Sequence, residues 1–261
     1  MAKDSRTTVG QPTSRPREAD GGGLPAERSP SGAVTPAAEV ADFIAKVKSM
    51  PAPSATGRGR LVFAMDATMS RQPTWDMALA LQADMFSAVK AVGTLDVQLV
   101  YFRGAGECRA SRWVSDPEAL ARLMTSVSCQ GGYTQIGKVL GHARRETEAR
   151  RVNALVYVGD CMEESIDELC GRAGELALLG VPVFLFQEGQ DPVAERAFRE
   201  IARLTKGATC RFEAGAAAEL KALLEAVAVY AAGGRAALDR LAHEGRHAAG
   251  ARRLVDAMQR Q

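Results

Sequence analysis

Five consecutive apolar residues, Leu61-Val62-Phe63-Ala64-Met65, run directly into Asp66-Ala67-Thr68-Met69-Ser70. An unbroken apolar run of this kind reads as a strand buried on both faces, as in a parallel sheet covered by helices. Arg71-Gln72-Pro73 forms a loop after it, and a helix is expected from about Trp75 to Val92. Asp76 falls in the first turn of that expected helix, where the helix dipole favours an anion. Hydroxyls and a carboxylate at the carboxyl end of a buried strand occupy the place where open α/β sheets put their ligands. This stretch therefore bears on fold and site together.

The rest of the chain continues the alternation. Leu95 to Phe102 reads as a second strand, and Glu107 to Val114 as a third after Gly104-Ala105-Gly106. That connection is too short for a parallel crossover, so the pair is an antiparallel hairpin. Asp116-Pro117 opens a helix to about Thr125. A helix from about Gln135 to Arg150, the strand Val152 to Val158, a helix from about Glu164 to Leu179 and the strand Val181 to Phe186 follow. Asp191-Pro192 then opens a helix that Gly207 stops, before a short strand at Thr209 to Phe212 and a helix from about Ala216 to Ala232. The expected fold class is α/β and doubly wound. Its mostly parallel six-stranded sheet has one antiparallel edge strand and helices on both faces.

Two flanking regions differ in composition. Residues 1–57 are dominated by Gly, Pro, Ser, Ala and charges, with little to fill a core, and read as mostly disordered. Within them a short amphipathic helix is expected over about 36–49, with Val40, Phe43, Ile44 and Val47 at helical spacing. The expected domain covers 58–232. A helical tail over 233–261 carries Leu238, Leu241, Ala242, Leu254 and Val255, which would dock on the domain or meet a partner.

A formal net charge of +2 gives no reason to expect nucleic acid or a membrane surface as partner. Five scattered cysteines, without Cys-x-x-Cys spacing, suit a reducing compartment. No apolar run approaches the length that spans a bilayer, and no secretory leader is visible at the N-terminus. A cytoplasmic protein is the expectation.

Three segments supply oxygen ligands for a cation: Asp66, Thr68 and Ser70 after the first strand, Thr134 after Gly131-Gly132-Tyr133, and Asp160 after Val156-Tyr157-Val158-Gly159. Oxygen donors without His or Cys favour a hard ion, Mg²⁺ or Mn²⁺. Neutral hydroxyls leave the charge of the ion incompletely cancelled, so it keeps an open position that attracts a carboxylate from outside. Arg71, Tyr133, Gln135, Glu163 and Glu164 are expected to rim the site and shape partner choice. Cys161 reads as a packing residue. His243 and His247 have metal-ligand spacing but no third ligand near them in sequence.

The set Asp66-x-Thr68-x-Ser70, Gly131-Gly132-Tyr133-Thr134-x-x-Gly137 and Gly159-Asp160 resembles the metal-ion-dependent adhesion site of von Willebrand factor A-type domains, of the bacterial intracellular type. The likeness extends over about Arg60 to Ala232 and includes Ile201-Ala202-x-x-Thr205-x-Gly207 before the last strand. Thr68 departs from the usual Asp-x-Ser-x-Ser but keeps the hydroxyl. The resemblance implies that hydroxyls at Ser70 and Thr134, and at Thr68 in some states, bind the metal directly. Carboxylates at Asp66 and Asp160 would act directly or through water, and an acidic residue of a protein ligand would complete the shell. It also implies a non-enzymatic interaction module, an adaptor or subunit of an intracellular complex such as one associated with AAA+ ATPases.

Two alternatives stay open at this point. One is a Mg²⁺-dependent phosphohydrolase, since an Asp ending a first buried strand also begins the haloacid dehalogenase pattern; here Thr68 stands where that pattern has its second aspartate. The other is a scaffold with a vestigial metal site. No glycine-rich nucleotide loop follows a strand, and no Ser-His-Asp or Cys-His set is assembled by the spacing.

Overall fold

The computed structural model describes residues 58–243 and 248–260. The helix expected over 36–49, and His247, lie outside the described residues. Among the described residues six strands, β1 (Arg58–Asp66), β2 (Thr94–Arg103), β3 (Glu107–Ala110), β4 (Ala154–Gly159), β5 (Val183–Glu188) and β6 (Ala208–Phe212), form one sheet in the order β3-β2-β1-β4-β5-β6. All neighbours are parallel except β2 and β3. The fold is therefore the expected doubly wound α/β sheet with one antiparallel edge strand.

Among the described residues seven α-helices cover the sheet: α1 (Gln72–Val89), α2 (Pro117–Thr125), α3 (Ile136–Ala149), α4 (Ile166–Leu178), α5 (Pro192–Thr205), α6 (Ala217–His243) and α7 (Ala248–Gln259). Because side chains alternate across a strand, β1 feeds two cores at once. Leu61, Phe63 and Met65 pack with Trp75, Met85, Leu223 and Val227 on one face. Val62 and Ala64 pack with Leu140, Tyr157 and Phe198 on the other. The middle of a strand with no solvated face favours apolar side chains, hence the unbroken run from Leu61 to Met65, with the buried polar residues Arg60 and Asp66 at its ends.

The two Asp-Pro pairs behave as their chemistry requires. Asp116 Oδ1 accepts the Ala119 N–H at 2.8 Å, and Asp191 Oδ1 accepts the Ala194 N–H at 2.6 Å. Each caps a helix whose first residue is proline, where the missing N–H is no loss. Helix α5 ends with Lys206 at a left-handed φ of 56°. Next to it, a Cβ on Gly207 would lie 1.9 Å from the Val183 carbonyl oxygen. Backbone cannot yield there as a side chain would, so Gly207→Ala is expected to lower stability by about 3 kcal/mol or more, read as a fall in the urea midpoint.

Several boundaries moved. Helix α1 begins three residues early because Pro73 is accommodated in its first turn; Asp76 then lies past that turn and accepts a 2.8 Å bond from Gln72 Nε2. The third strand stops at Ala110, not Val114, because the Ser111 hydroxyl takes the Leu99 N–H at 3.1 Å and displaces the ladder. Only an isolated Val97–Val114 bridge marks the remainder. Strand β5 starts at Val183 and runs on to Glu188, since pairing with β6 holds Gln187 and Glu188 in the sheet. Beyond Gly233 the chain kinks at Gly234 (φ 67°, ψ −167°) and packs back. Leu238 and Leu254 are fully buried in the same core as β1, and a Cβ on Gly250 would meet the Ala222 carbonyl oxygen at 2.1 Å. Arg253 adds a 2.9 Å ion pair to Glu219. The C-terminal residues thus dock on the domain.

Candidate metal centre

Strands β1 and β4 are parallel neighbours, with Met65 opposite Val158, so Asp66 and Asp160 leave the sheet at the same edge. The glycine loop reaches that edge through backbone bonds. Gln130 N–H donates to Ala67 O at 2.9 Å, and Tyr133 N–H donates to Gly104 O at 3.3 Å. Gly132 sits so close that a Cβ would lie 2.3 Å from the Gly104 nitrogen. Any other residue at this position would push the loop off the hairpin.

Asp66 is buried, and one carboxylate oxygen accepts the Thr68 N–H at 2.7 Å, turning the chain into a short 3₁₀ segment, Met69–Arg71. Its other oxygen, Oδ2, is buried with no hydrogen-bond partner among the described residues. Burial, reinforced by the nearby charge of Asp160, pushes the Asp66 carboxyl up to about 6, against the opposing pull of the Thr68 groups and Arg71. Thr68 and Ser70 present their hydroxyls side by side, 3.4 Å apart. Together with Thr134 they line one open cleft of about 240 Å³, which Asp66, Gly131 and Gly132 also line.

The third loop departs from expectation. Glu163, expected at the rim, lines the cleft itself and engages Thr134. Thr134 donates to Glu163 Oε2 from its hydroxyl at 2.7 Å and from its backbone N–H at 3.0 Å, while the Glu163 N–H returns a 3.2 Å bond to the hydroxyl oxygen. Asp160 pairs instead with Arg71, Nη2 to Oδ2 at 3.1 Å. Its Oδ1 is buried without a partner among the described residues. Arg71, also expected at the rim, is turned inward with its side chain 13% exposed, and its Nη1 reaches Glu188 Oε2 at 2.5 Å. The Thr74 hydroxyl donates to the same Glu188 oxygen. No local pattern marked Glu188, because β5 was expected to end two residues earlier.

Two more of the expected rim residues have structural partners. Glu164 caps α3, taking the Ile136 N–H through Oε2 and the Gly137 N–H at 2.9 Å through Oε1. A carboxylate there also meets the positive end of the helix dipole. Gln135 is buried and donates to Glu107 O at 3.2 Å, tying the loop to the hairpin. Tyr133 remains outward at 67% exposure, and Met69 stands at 63%. These are two of the four large apolar side chains exposed among the described residues; Met69 lines the cleft, and Tyr133 sits in the loop between Gly132 and Thr134, which line it too. Cys161 is pushed up to about 12, first by burial and then by Asp160, so without a metal it is a thiol at neutral pH.

The donor set is all oxygen, and two buried carboxylate oxygens, Asp66 Oδ2 and Asp160 Oδ1, lack a hydrogen-bond partner among the described residues, which fits a hard cation. Among the described residues no group of three His, Cys, Asp or Glu is placed to hold a metal. A cation here would therefore depend on the hydroxyls of Thr68, Ser70 and Thr134. That makes its hold modest and leaves it in need of further oxygen.

No protein-family model matches the chain, and no curated protein matches it in sequence. Solved structures do. Proximal thread matrix protein 1 from the mussel byssus superposes with a TM-score of 0.54 at 17% identity, over 69% of this chain and 48% of that one. Another structure of the same protein, with a zinc-occupied MIDAS motif, matches at 0.53 and 17% identity over 67% and 46%. The pilus adhesin SpaC from Lactobacillus rhamnosus GG matches at 0.52 and 11% identity, over 66% of this chain and 29% of that one. The chain spans less than half the length of these proteins, and at such identities the likeness establishes the fold.

Proposed function

We propose that the chain is a protein-interaction module whose cleft holds Mg²⁺ or Mn²⁺ and, through it, a carboxylate of a partner protein. The observation that carries this reading is the partnerless buried oxygen of Asp66, a residue that lines one cleft with the hydroxyl-bearing Thr68, Ser70 and Thr134. A buried carboxylate without a donor is costly, and a divalent cation is the group that relieves it. The exposed Met69 and Tyr133 fit the reading, since apolar side chains around a polar centre supply the area that a single ionic contact lacks. The zinc held in the MIDAS motif of the byssus protein supports it by analogy of fold.

On this reading the protein is not an enzyme. It acts as an adaptor or subunit of an intracellular complex, one associated with AAA+ ATPases being the proposed setting, and it resides in the cytoplasm. No helix among the described residues is long and apolar enough to cross a membrane.

Calorimetric titration of Mg²⁺ and Mn²⁺ into chelator-treated protein tests the reading, with saturable binding at one site expected and a flat titration for both ions against it. Tyr133→Ala addresses partner recognition separately. Partner capture is expected to fall tenfold or more, on the order of 1.4 kcal/mol, with Mn²⁺ affinity unchanged. Equal capture by both forms in a pull-down would remove Tyr133 from the interface.

A further inference from the structure

We infer that Glu163, rather than Asp160, is the carboxylate that the third loop gives to the cation, and that Arg71 is what holds Asp160 away. The inference rests on the metal-binding reading above and specifies its ligand set. The resemblance to A-type domains points to Asp160, the residue directly after the strand. The packing around it points elsewhere. Arg71 spans Asp160 and Glu188, at 3.1 and 2.5 Å, from a position where its side chain is 13% exposed. Turning Asp160 towards the cleft would leave a largely buried guanidinium with an unmatched donor, a heavy penalty at that depth.

Glu163 stands on the other side of the loop with its carboxylate in the cleft. It takes the proton of the Thr134 hydroxyl, and its own N–H occupies one lone pair of that oxygen. The remaining lone pair of Thr134 is then free for a cation, and the Glu163 charge lies beside it. Hydroxyl and carboxylate act as a unit, with the acid orienting the neutral donor and supplying the charge that a hydroxyl lacks. Asp66 supplies the second charge through the partnerless Oδ2. Two carboxylates balance a divalent ion as Asp66 and Asp160 would have done, so the open position for a partner carboxylate remains.

The test is titration of Mn²⁺ into the full-length protein, by calorimetry and by loss of the free-ion electron paramagnetic resonance signal, for wild type, E163Q, D160N and R71Q. Glu163 is exposed, and the amide oxygen of Gln accepts the Thr134 hydroxyl as the carboxylate does, so E163Q keeps the fold and the contact while removing the charge. The expected results are affinity tenfold or more weaker in E163Q, less than threefold changed in D160N, and raised threefold or more in R71Q, where Asp160 is released. A purely structural role for Glu163 would leave the E163Q affinity near wild type, which overturns the inference. So does a loss in D160N equal to or larger than that in E163Q, or an R71Q affinity that does not rise. Absence of Mn²⁺ and Mg²⁺ binding in wild type would overturn the metal-binding reading itself, and is distinguishable because it precedes any variant.

Discussion

Asp66→Asn is expected to abolish metal binding while making the metal-free protein more stable. Loss of a charged, buried ligand should weaken Mg²⁺ and Mn²⁺ by on the order of 100-fold, at or beyond the limit of calorimetric detection. The stability change has the opposite sign. The Asp66 carboxyl is pushed up to about 6, chiefly by burial, so the folded state holds its proton more tightly than the unfolded chain does. Ionisation above that value therefore works against folding. Asn keeps an oxygen for the Thr68 N–H, which Asp66 holds at 2.7 Å, and carries no charge. At pH 8 the variant should gain on the order of 1–3 kcal/mol in urea unfolding. The sign of the pH dependence follows. The penalty in wild type is fully present above about 6 and fades as pH falls towards the ordinary carboxylate value, so the gain in Asp66→Asn should shrink in acid. Saturating Mg²⁺ should stabilise wild type and leave the variant unmoved. An equal Mg²⁺-dependent rise in Tm for both would separate the ion from this cleft.

Trp75→Ala is expected to produce the largest loss of stability, about 3–5 kcal/mol by urea unfolding. Trp75 is 1% exposed, its Nε1 donates to the Met124 carbonyl at 3.2 Å, and its ring meets Tyr101 edge to face at 6.2 Å. Truncation opens a cavity and leaves the Met124 carbonyl without this donor. The consequence for function arises from position. Helix α1 begins directly after the 3₁₀ segment that presents Ser70, so a loosened α1 loosens the first loop. Mn²⁺ affinity should fall as well, though less than in Asp66→Asn, and stability measured without metal should show the full loss. A loss under about 1 kcal/mol would mean that α1 repacks without its anchor.

Much of the fold was legible because its signals are local. A strand with both faces covered has no solvated side, and Leu61 to Met65 says so in five letters. Asp-Pro pairs mark helix starts through an oxygen that caps and a ring that needs no N–H, and α2 and α5 begin at those prolines. The hairpin followed from the shortness of its connection. Boundaries moved where a distant partner intervened: the Ser111 hydroxyl ended β3, and the β6 neighbour extended β5 over polar residues.

The oxygen-rich strand end, the double glycine and the order of Thr134 and Asp160 were all determined by the sequence, because each is a matter of residue type and adjacency. Which carboxylate faces the cleft was not. Asp160 and Glu163 lie three residues apart with the same charge, and nothing local separates them. Only the tertiary structure decides, by bringing Glu188, 117 residues from Arg71, to the end of the neighbouring strand. There it fixes Arg71, Arg71 takes Asp160, and Glu163 is left to Thr134. A charged side chain settles where its counter-ion is, and the counter-ion is placed by the sheet.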